Sequence, residues 1–402
     1  MEKMKFIERM EGFVMKRLVS ILLAFMLLIA VSVPFASAEE EKNVQLAENV
    51  KSAILIERDT GKVLYEKNSN EQLPPASMTK VMTMLLIMEA LDEGKLTMNE
   101  KVRASEYAAS MGGSQIFLEP GEEMTVQEML KGIAIGSGND ASVAMAERIA
   151  GSEDAFVEMM NKKAKELGLK DTKFKNTTGL PVEDHYSTAY DMAIMSKELL
   201  KYEDITKFTG TYEAYLRENT DKKFWLVNTN KLVRFYPGVD GLKTGFTREA
   251  MYCLTATAEK DGMRVIAVVF GAPTSKDRNA QVTKMLDYAF NQYKTHPIFE
   301  RNHVMGTAKV SKGEKKKVEM VTSESISLLT KKGETIEDVK QKVTLKKDLK
   351  APIKKGDQIG TLTIKKKGET LVKSPLLAKE DVNEATWWDL FKRSLGIFTR
   401  SE

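Results

Sequence analysis

The first regular pattern along the chain is an alternation of apolar and polar residues over positions 52–66. A turn sequence that contains Gly61 lies in its middle, so the pattern predicts a β-hairpin. Pro74 and Pro75 then end the extended chain and favour the start of a helix. Residues 77–92 are apolar on nearly every side, which is typical of a helix buried at the centre of a domain.

Helical periodicity continues over residues 125–150, 153–168 and 188–201, and a long amphipathic helix is predicted at about 275–293. Before that last helix, two apolar runs extend from Met251 to Ala258 and from Met263 to Phe270, with a short hairpin signal between them. Because strands lie at both ends of this region and helices lie between them, we expect an α+β fold. One antiparallel sheet, flanked by helices, should draw its strands from distant parts of the chain.

The N-terminus has the three parts of a secretory signal in the required order. Lys16 and Arg17 precede an apolar run from Leu18 to Val33, and the small-residue site Ala36-Ser37-Ala38 follows. We therefore expect residues 1–38 to be removed and the mature protein to work outside the cytoplasmic membrane. An uncleaved N-terminal anchor is the alternative, although the run is short for a membrane span.

The chain becomes more positively charged after Pro297. Residues 301–380 contain 20 Lys and Arg against 10 Asp and Glu, a net charge of +10, whereas the whole chain carries only +4. Short apolar runs separated by Lys-Lys-Gly turns predict a small β-rich domain. Its lysines fit two interpretations. They can be solvated residues that discourage the pairing of exposed strand edges. They can also attract the domain to an anionic cell wall or membrane surface.

The last segment has the pattern of an interfacial amphipathic helix. Five apolar or aromatic residues fall on one helical side: Trp387, Trp388, Phe391, Leu395 and Phe398. Charged residues fall mostly on the other side, and the segment is too short and too charged to span a bilayer. We expect it to lie on the membrane surface; the alternative is a helix packed on the protein itself.

Composition excludes several classes of function. A chain of 402 residues suggests two or three domains, and a net charge of +4 does not favour nucleic acid as a partner. The single cysteine, Cys253, excludes an intramolecular disulfide and lies in an apolar run, so we expect a small core residue. With three histidines and no metal-binding motif, we expect no metal and no cofactor.

Ser77 and Lys80 are the strongest candidates for chemistry. On a helix, residues three apart share a face, so the hydroxyl and the amine can form a hydrogen bond. A serine hydroxyl becomes a good nucleophile only when a neighbouring base takes its proton, and a lysine is such a base only when its pKa is lowered. Burial beside a second cation, such as Lys243, would lower it. Taken alone, Ser77 could equally be a helix N-cap.

Two further motifs follow in order. Ser137-Gly138-Asn139 forms a turn between two helices, which can present a hydroxyl and an amide to a cleft. Lys243-Thr244-Gly245 precedes the strand pair. On an edge strand, Gly245 would let a substrate backbone lie close, while Lys243 and Thr244 would offer a charge and a hydroxyl to a carboxylate. Each motif alone has a structural alternative, a glycine-rich turn or a charged strand start.

Together, the three motifs resemble those of the D-alanyl-D-alanine carboxypeptidases, the low-molecular-mass penicillin-binding proteins. The resemblance covers nearly the whole chain and includes the segments 75–80, 137–141, 176–180, 185–193 and 240–245. The segment from Phe246 to Ala250 resembles Gram-positive members, including those linked to sporulation. The resemblance implies a penicillin-binding, β-lactamase-like domain at 39–296, a small β-rich domain at 297–381 and an amphipathic membrane-anchoring helix at 382–402.

The resemblance also implies roles for individual residues. Ser77 attacks the carbonyl between the two terminal D-alanines of a peptidoglycan stem peptide, Lys80 takes its proton, and Ser137 passes that proton to the leaving D-alanine. Asn139 holds the acyl-side amide, and Lys243 and Thr244 receive the terminal carboxylate. Backbone N–H groups of Ser77 and Phe246 form the oxyanion hole. Penicillin mimics the dipeptide and stalls at the acyl-enzyme.

One departure from the family concerns the substrate carboxylate. Some relatives carry an arginine about 15 residues before the Lys-Thr-Gly motif, where this chain has Thr229; Lys231 and Arg248 are candidate substitutes. A β-lactamase would also need a carboxylate to activate water, typically in an E-x-x-x-N pattern, and none occurs between Ser137 and Lys243. A D,D-endopeptidase and a non-catalytic wall-binding module remain as alternatives.

Overall fold

The computed structural model of the protein describes residues 44–388 and residue 391. The described strands, β1 to β16 in chain order, are Ser52–Glu57, Val63–Lys67, Lys101–Arg103, Glu123–Thr125, Glu213–Leu216, Phe224–Val227, Val239–Thr247, Met251–Lys260, Met263–Ala272, Tyr293–Phe299, Val304–Lys309, Lys317–Thr322, Ile326–Lys331, Val339–Leu345, Gln358–Lys366 and Glu369–Ala378. The described helices, α1 to α9, are Lys80–Asp92, Glu106–Ala109, Val126–Ala134, Asn139–Ala150, Glu153–Glu166, Ala189–Leu199, Ile205–Thr209, Leu232–Phe235 and Ser275–Gln292.

The central sheet has five antiparallel strands in the order β2-β1-β9-β8-β7. The predicted hairpin and the predicted strand pair both lie in it, so the expectation of one sheet built from distant parts of the chain is confirmed. Strand β7, which carries the Lys-Thr-Gly motif, lies at its edge.

Both faces of this sheet are covered. Along β1, Ile54 and Ile56 pack into a core that is shared with α1, whereas Ala53 and Leu55 pack into a second core shared with α9. Successive side chains of a strand point to opposite faces, so a strand covered on both sides is apolar throughout. The sheet is therefore the middle layer of a helix–sheet–helix arrangement, and α1 is buried as its sequence predicted.

Two predicted helices differ in detail from those observed. The helix expected at 77–92 begins as a 3₁₀ turn, Ala76–Thr79, and becomes α-helical only at Lys80. The helical region at 125–150 is two helices, α3 and α4, on either side of the Ser137 turn. Both interruptions lie at candidate site residues, where the chain turns to present a side chain.

The C-terminal part is rich in strands, as its composition predicted. Strands β11-β12-β16-β15-β14 form an antiparallel sheet, and β10 pairs with β13. Polar contacts connect this part to the first: Lys197 pairs with Glu324 at 2.7 Å, and the Ser327 hydroxyl donates a hydrogen bond to Asp59.

The predicted signal peptide at 1–38 and most of the predicted C-terminal helix lie outside the described residues. Within the described part of the chain, no helix is long and apolar enough to cross a membrane.

Candidate active site

Ser77 lies in the 3₁₀ turn at the start of α1, and two glycines allow other segments to close around this turn. Ala76 has a left-handed backbone, with φ of 48°. A Cβ on Gly179 would lie 1.8 Å from the Ala76 carbonyl oxygen, and a Cβ on Gly245 would lie 2.7 Å from the Pro75 carbonyl oxygen. The absence of a side chain at Gly245 therefore lets edge strand β7 lie against the Ser77 turn.

The N-cap alternative for Ser77 is wrong. Pro75 occupies the cap position of the 3₁₀ turn, and no side chain caps it. The Ser77 hydroxyl instead lies 3.3 Å from Nζ of Lys80. The sequence spacing predicted this contact, although the turn is 3₁₀ rather than α-helical.

Lys80 is completely buried, and its amine has three polar neighbours. Nζ lies 2.6 Å from Oδ1 of Asn139, 2.8 Å from the carbonyl oxygen of Thr178 and 3.3 Å from Oγ of Ser77. The Asn139 and Thr178 oxygens can only accept hydrogen bonds. A neutral amine has two N–H groups and one lone pair, so its two donors are used there and its lone pair is left for the Ser77 hydroxyl.

The environment favours this neutral form. Burial lowers the pKa of Lys80 well below its usual value, the charge of Lys243 lowers it further, and Asp140 opposes the shift. The expectation that burial beside a second cation depresses this pKa is confirmed. The lowered pKa makes Lys80 better suited to accept a proton than a solvent-exposed lysine.

Ser137 and Asn139 are presented by the break between α3 and α4. Ser137 is buried and has a left-handed backbone, with φ of 63°, while Asn139 is the first residue of α4. Besides accepting from Lys80, the Asn139 amide donates to the carbonyl oxygen of Gly112 at 2.7 Å. Non-glycine residues with positive φ are uncommon and concentrate where function constrains the backbone.

Lys243 and Thr244 lie on edge strand β7. Lys243 is buried, and its pKa is lowered to about 7 by burial and by the charge of Arg278. The Thr244 hydroxyl donates to Oγ1 of Thr229 at 2.7 Å, so Thr229 lies in the Lys-Thr-Gly region as the family comparison suggested. Phe246 follows on the strand, with its ring exposed and 4.4 Å from the ring of Tyr252.

Arg278 is the residue that the sequence analysis missed. It lies in the first turn of α9 and is buried close enough to Lys243 to lower the pKa of that lysine. Within residues 44–388 its guanidinium bonds to the side-chain oxygen of neighbouring Asn279, and no carboxylate pairs with it. Its only signal in the sequence was an arginine on the buried side of an amphipathic helix.

Neither Lys231 nor Arg248, the two residues suggested as substitutes for the family arginine, is buried next to Lys243 as Arg278 is. Lys231 lies with its Nζ 5.3 Å from the centre of the Tyr212 ring, and Arg248 is exposed in the turn after β7. Lys243 and Arg278 are thus two buried cations, and within residues 44–388 no carboxylate pairs with either of them.

The one histidine near the nucleophile turn has a structural role. His185 accepts from the backbone N–H of Lys175 through Nδ1, so its Nε2 carries the proton and donates to Oγ1 of Thr79 at 2.8 Å. Burial lowers the pKa of His185 to about 4, which keeps the ring neutral. Its partner is Thr79, not Ser77, so the arrangement is not a Ser-His-Asp triad. Cys253, as expected, is a buried core residue of β8.

A serine within reach of a buried lysine, a second serine on an adjacent turn and a Lys-Thr-Gly edge strand define an acyl-transfer enzyme of the penicillin-binding class. A family model described as D-alanyl-D-alanine carboxypeptidase matches residues 38–274. A second model, the C-terminal domain of penicillin-binding protein 5, matches residues 293–384. The chain belongs to the D-alanyl-D-alanine carboxypeptidase family of serine-type hydrolases.

Individual relatives agree with this assignment. D-alanyl-D-alanine carboxypeptidase DacF of Bacillus subtilis (strain 168) is 67% identical over 96% of this chain and 100% of its own. The structure of penicillin binding protein 5 from Haemophilus influenzae has a TM-score of 0.64 and 31% identity, covering 84% of this chain and 98% of its own. Penicillin-binding protein D2 from Listeria monocytogenes, solved in its ampicillin-bound form, has a TM-score of 0.53 and 32% identity, covering 61% of this chain and 100% of its own.

Proposed function

We propose that the enzyme removes the terminal D-alanine from peptidoglycan stem peptides through an acyl-enzyme on Ser77. The observation that supports this most directly is the environment of the Lys80 amine. Nζ contacts Oγ of Ser77, Oδ1 of Asn139 and the carbonyl oxygen of Thr178, and burial lowers its pKa. An amine with a lowered pKa beside the nucleophile is suited to act as its general base.

In the first half-reaction, Oγ of Ser77 attacks the carbonyl carbon between the two D-alanines, and its proton passes to Nζ of Lys80. The oxyanion that forms is stabilised by the backbone N–H groups of Ser77 and Phe246; losing one such donor typically costs about 2.7–4 kcal/mol. The C–N bond then breaks. Ser137 relays the proton to the departing amine, so that D-alanine leaves as a neutral amine and Ser77 carries the ester.

In the second half-reaction, water attacks the ester carbonyl and gives up a proton to Lys80. The C–O bond breaks, the shortened peptide leaves with a carboxyl group, and the Ser77 hydroxyl regains a proton. Shortened stem peptides cannot act as acyl donors, so this reaction limits cross-linking of the wall.

The leaving residue is recognised by its carboxylate. Lys243, Thr244 and Arg278 supply two charges and a hydroxyl in a buried place that holds no acidic side chain among the described residues. Buried cations without a counter-ion are costly, and a bound carboxylate removes that cost. Asn139, which contacts Lys80, holds the acyl-side amide.

β-Lactams acylate the same serine. The relative from Listeria monocytogenes is known in an ampicillin-bound form, and the ring carbonyl of a penicillin with its nearby carboxylate matches the carbonyl and terminus of the dipeptide. The missing E-x-x-x-N pattern disfavours rapid hydrolysis of that adduct, so the protein is inhibited by penicillin rather than degrading it.

The enzyme works on the outer face of the cytoplasmic membrane, in the cell wall space. The signal sequence supports export, and the terminal aromatic residues support an anchor on the membrane surface. Trp387, Trp388 and Phe391 are exposed, and the rings of Trp387 and Phe391 stack at 5.3 Å. If this proposal holds, deletion of residues 383–402 releases the protein from membranes; a truncated form that still sediments with membranes contradicts it.

The remaining alternative within the family is a D,D-endopeptidase. The deciding experiment compares D-alanine release from a synthetic stem pentapeptide with cleavage of a cross-linked peptide dimer. A carboxypeptidase releases D-alanine faster than it opens the dimer. Faster cleavage of the dimer would establish the endopeptidase, and activity on neither would favour a wall-binding module.

A further inference from the structure

Phe117 is an exposed aromatic residue in a strained backbone conformation. Its φ is 57°, in the left-handed region, and its side chain is 63% exposed. Bulky residues rarely adopt this region, because Cβ crowds the backbone at a cost of about 1–2 kcal/mol. Strain of this kind persists only where surrounding structure enforces it, and it concentrates at ligand contacts and active sites.

Asp140 holds the amides on both sides of Phe117. Its buried carboxylate accepts hydrogen bonds from the backbone N–H groups of Ile116, at 3.0 and 3.1 Å to its two oxygens, and of Leu118, at 3.0 Å. Asp140, which follows the candidate substrate-binding residue Asn139 in the chain, therefore shapes this loop.

Arg217 holds the carbonyls of the same loop. Its guanidinium donates to the carbonyl oxygens of Ile116, at 3.1 Å, and Phe117, at 3.2 Å. Glu122 pairs with the same guanidinium through two hydrogen bonds, which fixes its plane. Two charged groups from distant parts of the chain therefore hold Phe117 in its strained conformation.

The loop is also bonded directly to the active site. The backbone N–H of Asn139 donates to the carbonyl oxygen of Ser114, and its side-chain amide donates to that of Gly112, both at 2.7 Å. Asn139 in turn accepts from Lys80. In the proposed function Asn139 contacts the acyl side of the scissile bond, so the loop bonded to Asn139 lies next to that side of the substrate.

A structural purpose for the Phe117 ring is weakly supported. Its aromatic neighbour is Phe224, in an edge-to-face contact with ring centres 5.5 Å apart, and most of the ring stays in solvent. An isolated exposed apolar residue is ordinary. Phe117 is not ordinary in this sense, because two charged side chains hold its backbone in a strained conformation and its loop is bonded to the candidate active site.

We propose that Phe117 is a specificity-determining residue that packs against the side chain of the stem-peptide residue preceding the D-alanyl-D-alanine pair. The inference rests on the proposed function, because it assumes that the acyl part of the peptide extends past Asn139. The aliphatic portion of a long side chain offers the apolar surface that an exposed ring can cover. A peptide that lacks this side chain gains nothing from Phe117.

The test compares Nα,Nε-diacetyl-L-lysyl-D-alanyl-D-alanine with acetyl-glycyl-D-alanyl-D-alanine as substrates. Phe117→Ala and Phe117→Gly should each lower kcat/KM for the lysyl peptide by about tenfold, the scale of one apolar contact, and change it less than about twofold for the glycyl peptide. Phe235→Ala removes another exposed ring and should change neither. Equal losses on both peptides, or no loss on either, overturn the proposal.

Two further readouts separate the possible failures. Phe117→Gly should melt at a higher temperature than Phe117→Ala, since glycine adopts positive φ without strain; the reverse order contradicts the enforced strain. If the unmodified protein releases D-alanine from neither peptide, the proposed function has failed. The role of Phe117 is then tested by the rate of acylation by benzylpenicillin divided by the rate for 6-aminopenicillanic acid, which lacks the acyl side chain. If Phe117→Ala lowers this ratio, the inference is supported. If the ratio is unchanged, the inference is overturned.

Discussion

Nζ of Lys80 lies 2.6 Å from Oδ1 of Asn139, in a buried hydrogen bond that joins the first motif of the chain to the second. This bond orients the amine so that its remaining electron pair can face the nucleophile. The site thus depends on the chemical type of residue 139 as well as on its position, since a negatively charged acceptor there would oppose the lowering of the pKa of Lys80.

Changing Asn139 to Asp tests that dependence. The added negative charge beside Nζ should raise the pKa of Lys80, so a larger fraction is protonated and unable to act as a base. We expect acylation by penicillin at neutral pH to slow by about 10²–10³, with partial recovery as the pH is raised. Asn302→Asp, an exposed change in the C-terminal part, is the control. A variant that acylates at the normal rate at pH 7 contradicts Lys80 as the base.

Gly179→Ala tests whether acylation requires the close packing of residue 179 against the turn that carries Ser77. A Cβ at residue 179 would overlap the Ala76 carbonyl, whereas one at Gly94, which has a similar positive φ, meets nothing within 4 Å. Gly94→Ala should therefore cost only the backbone strain, about 1 kcal/mol of unfolding free energy, and leave acylation unchanged. Gly179→Ala should lower the acylation rate at least about 100-fold, as displacement of reacting groups typically does. Equal acylation rates in the two variants would disprove the steric role.

Arg278→Gln tests the carboxylate site. Loss of one buried charge should lower kcat/KM for a stem pentapeptide by about 30- to 5,000-fold, the range that corresponds to removing one partner of a buried charge pair. The same peptide with an amidated C-terminus should be a poor substrate of both forms and show little further loss. The control is Arg248→Gln, which removes an exposed arginine near the same strand. If Arg248→Gln has the larger effect, the assignment of Arg278 is wrong.

The lowered pKa of His185 should make the free energy of unfolding depend on pH. Its folded-state pKa is about 4, against a usual value of 6.5, because burial disfavours the charged ring. The unfolded chain therefore binds more protons between these values, so stability falls as the pH is lowered from about 6.5 to 4 and is unaffected by this group above 6.5. His185→Gln should remove about 2 kcal/mol of the difference in unfolding free energy between pH 7 and pH 5, measured in urea. His303→Gln, at an exposed position, is the control; an unchanged slope in His185→Gln contradicts the buried neutral ring.

Local spacing was sufficient to predict much of the site. The S-x-x-K interval predicted the contact between Ser77 and Lys80 from residues that are close in sequence. The place of Asn139 and Lys243 in the same site was implied by the resemblance of the three ordered motifs to the carboxypeptidase family. The buried helix α1 was equally visible, because its apolar pattern extends over many residues. Strand β7 has no such pattern, and an edge strand for Lys-Thr-Gly was only a condition of how that motif was interpreted.

Contacts between distant segments were not predictable in the same way. The carbonyl of Thr178 approaches Lys80 only after the chain folds, and a backbone carbonyl has no signature in the sequence. Arg278 looks like any arginine on a helix until its lack of a carboxylate partner is known. The close approach of Gly245 to the Ser77 turn was equally hidden, since the two segments are far apart in the sequence.

The central claim is that Ser77 carries the acyl group, and labelling with a fluorescent penicillin tests it most directly. The unmodified protein should become covalently labelled, and a fragment containing Ser77 should carry the added mass. Ser77→Ala should abolish labelling, while Ser110→Ala, which removes an exposed hydroxyl elsewhere, should leave it unchanged. Labelling that persists in folded Ser77→Ala protein, or an adduct on another residue, would contradict the account.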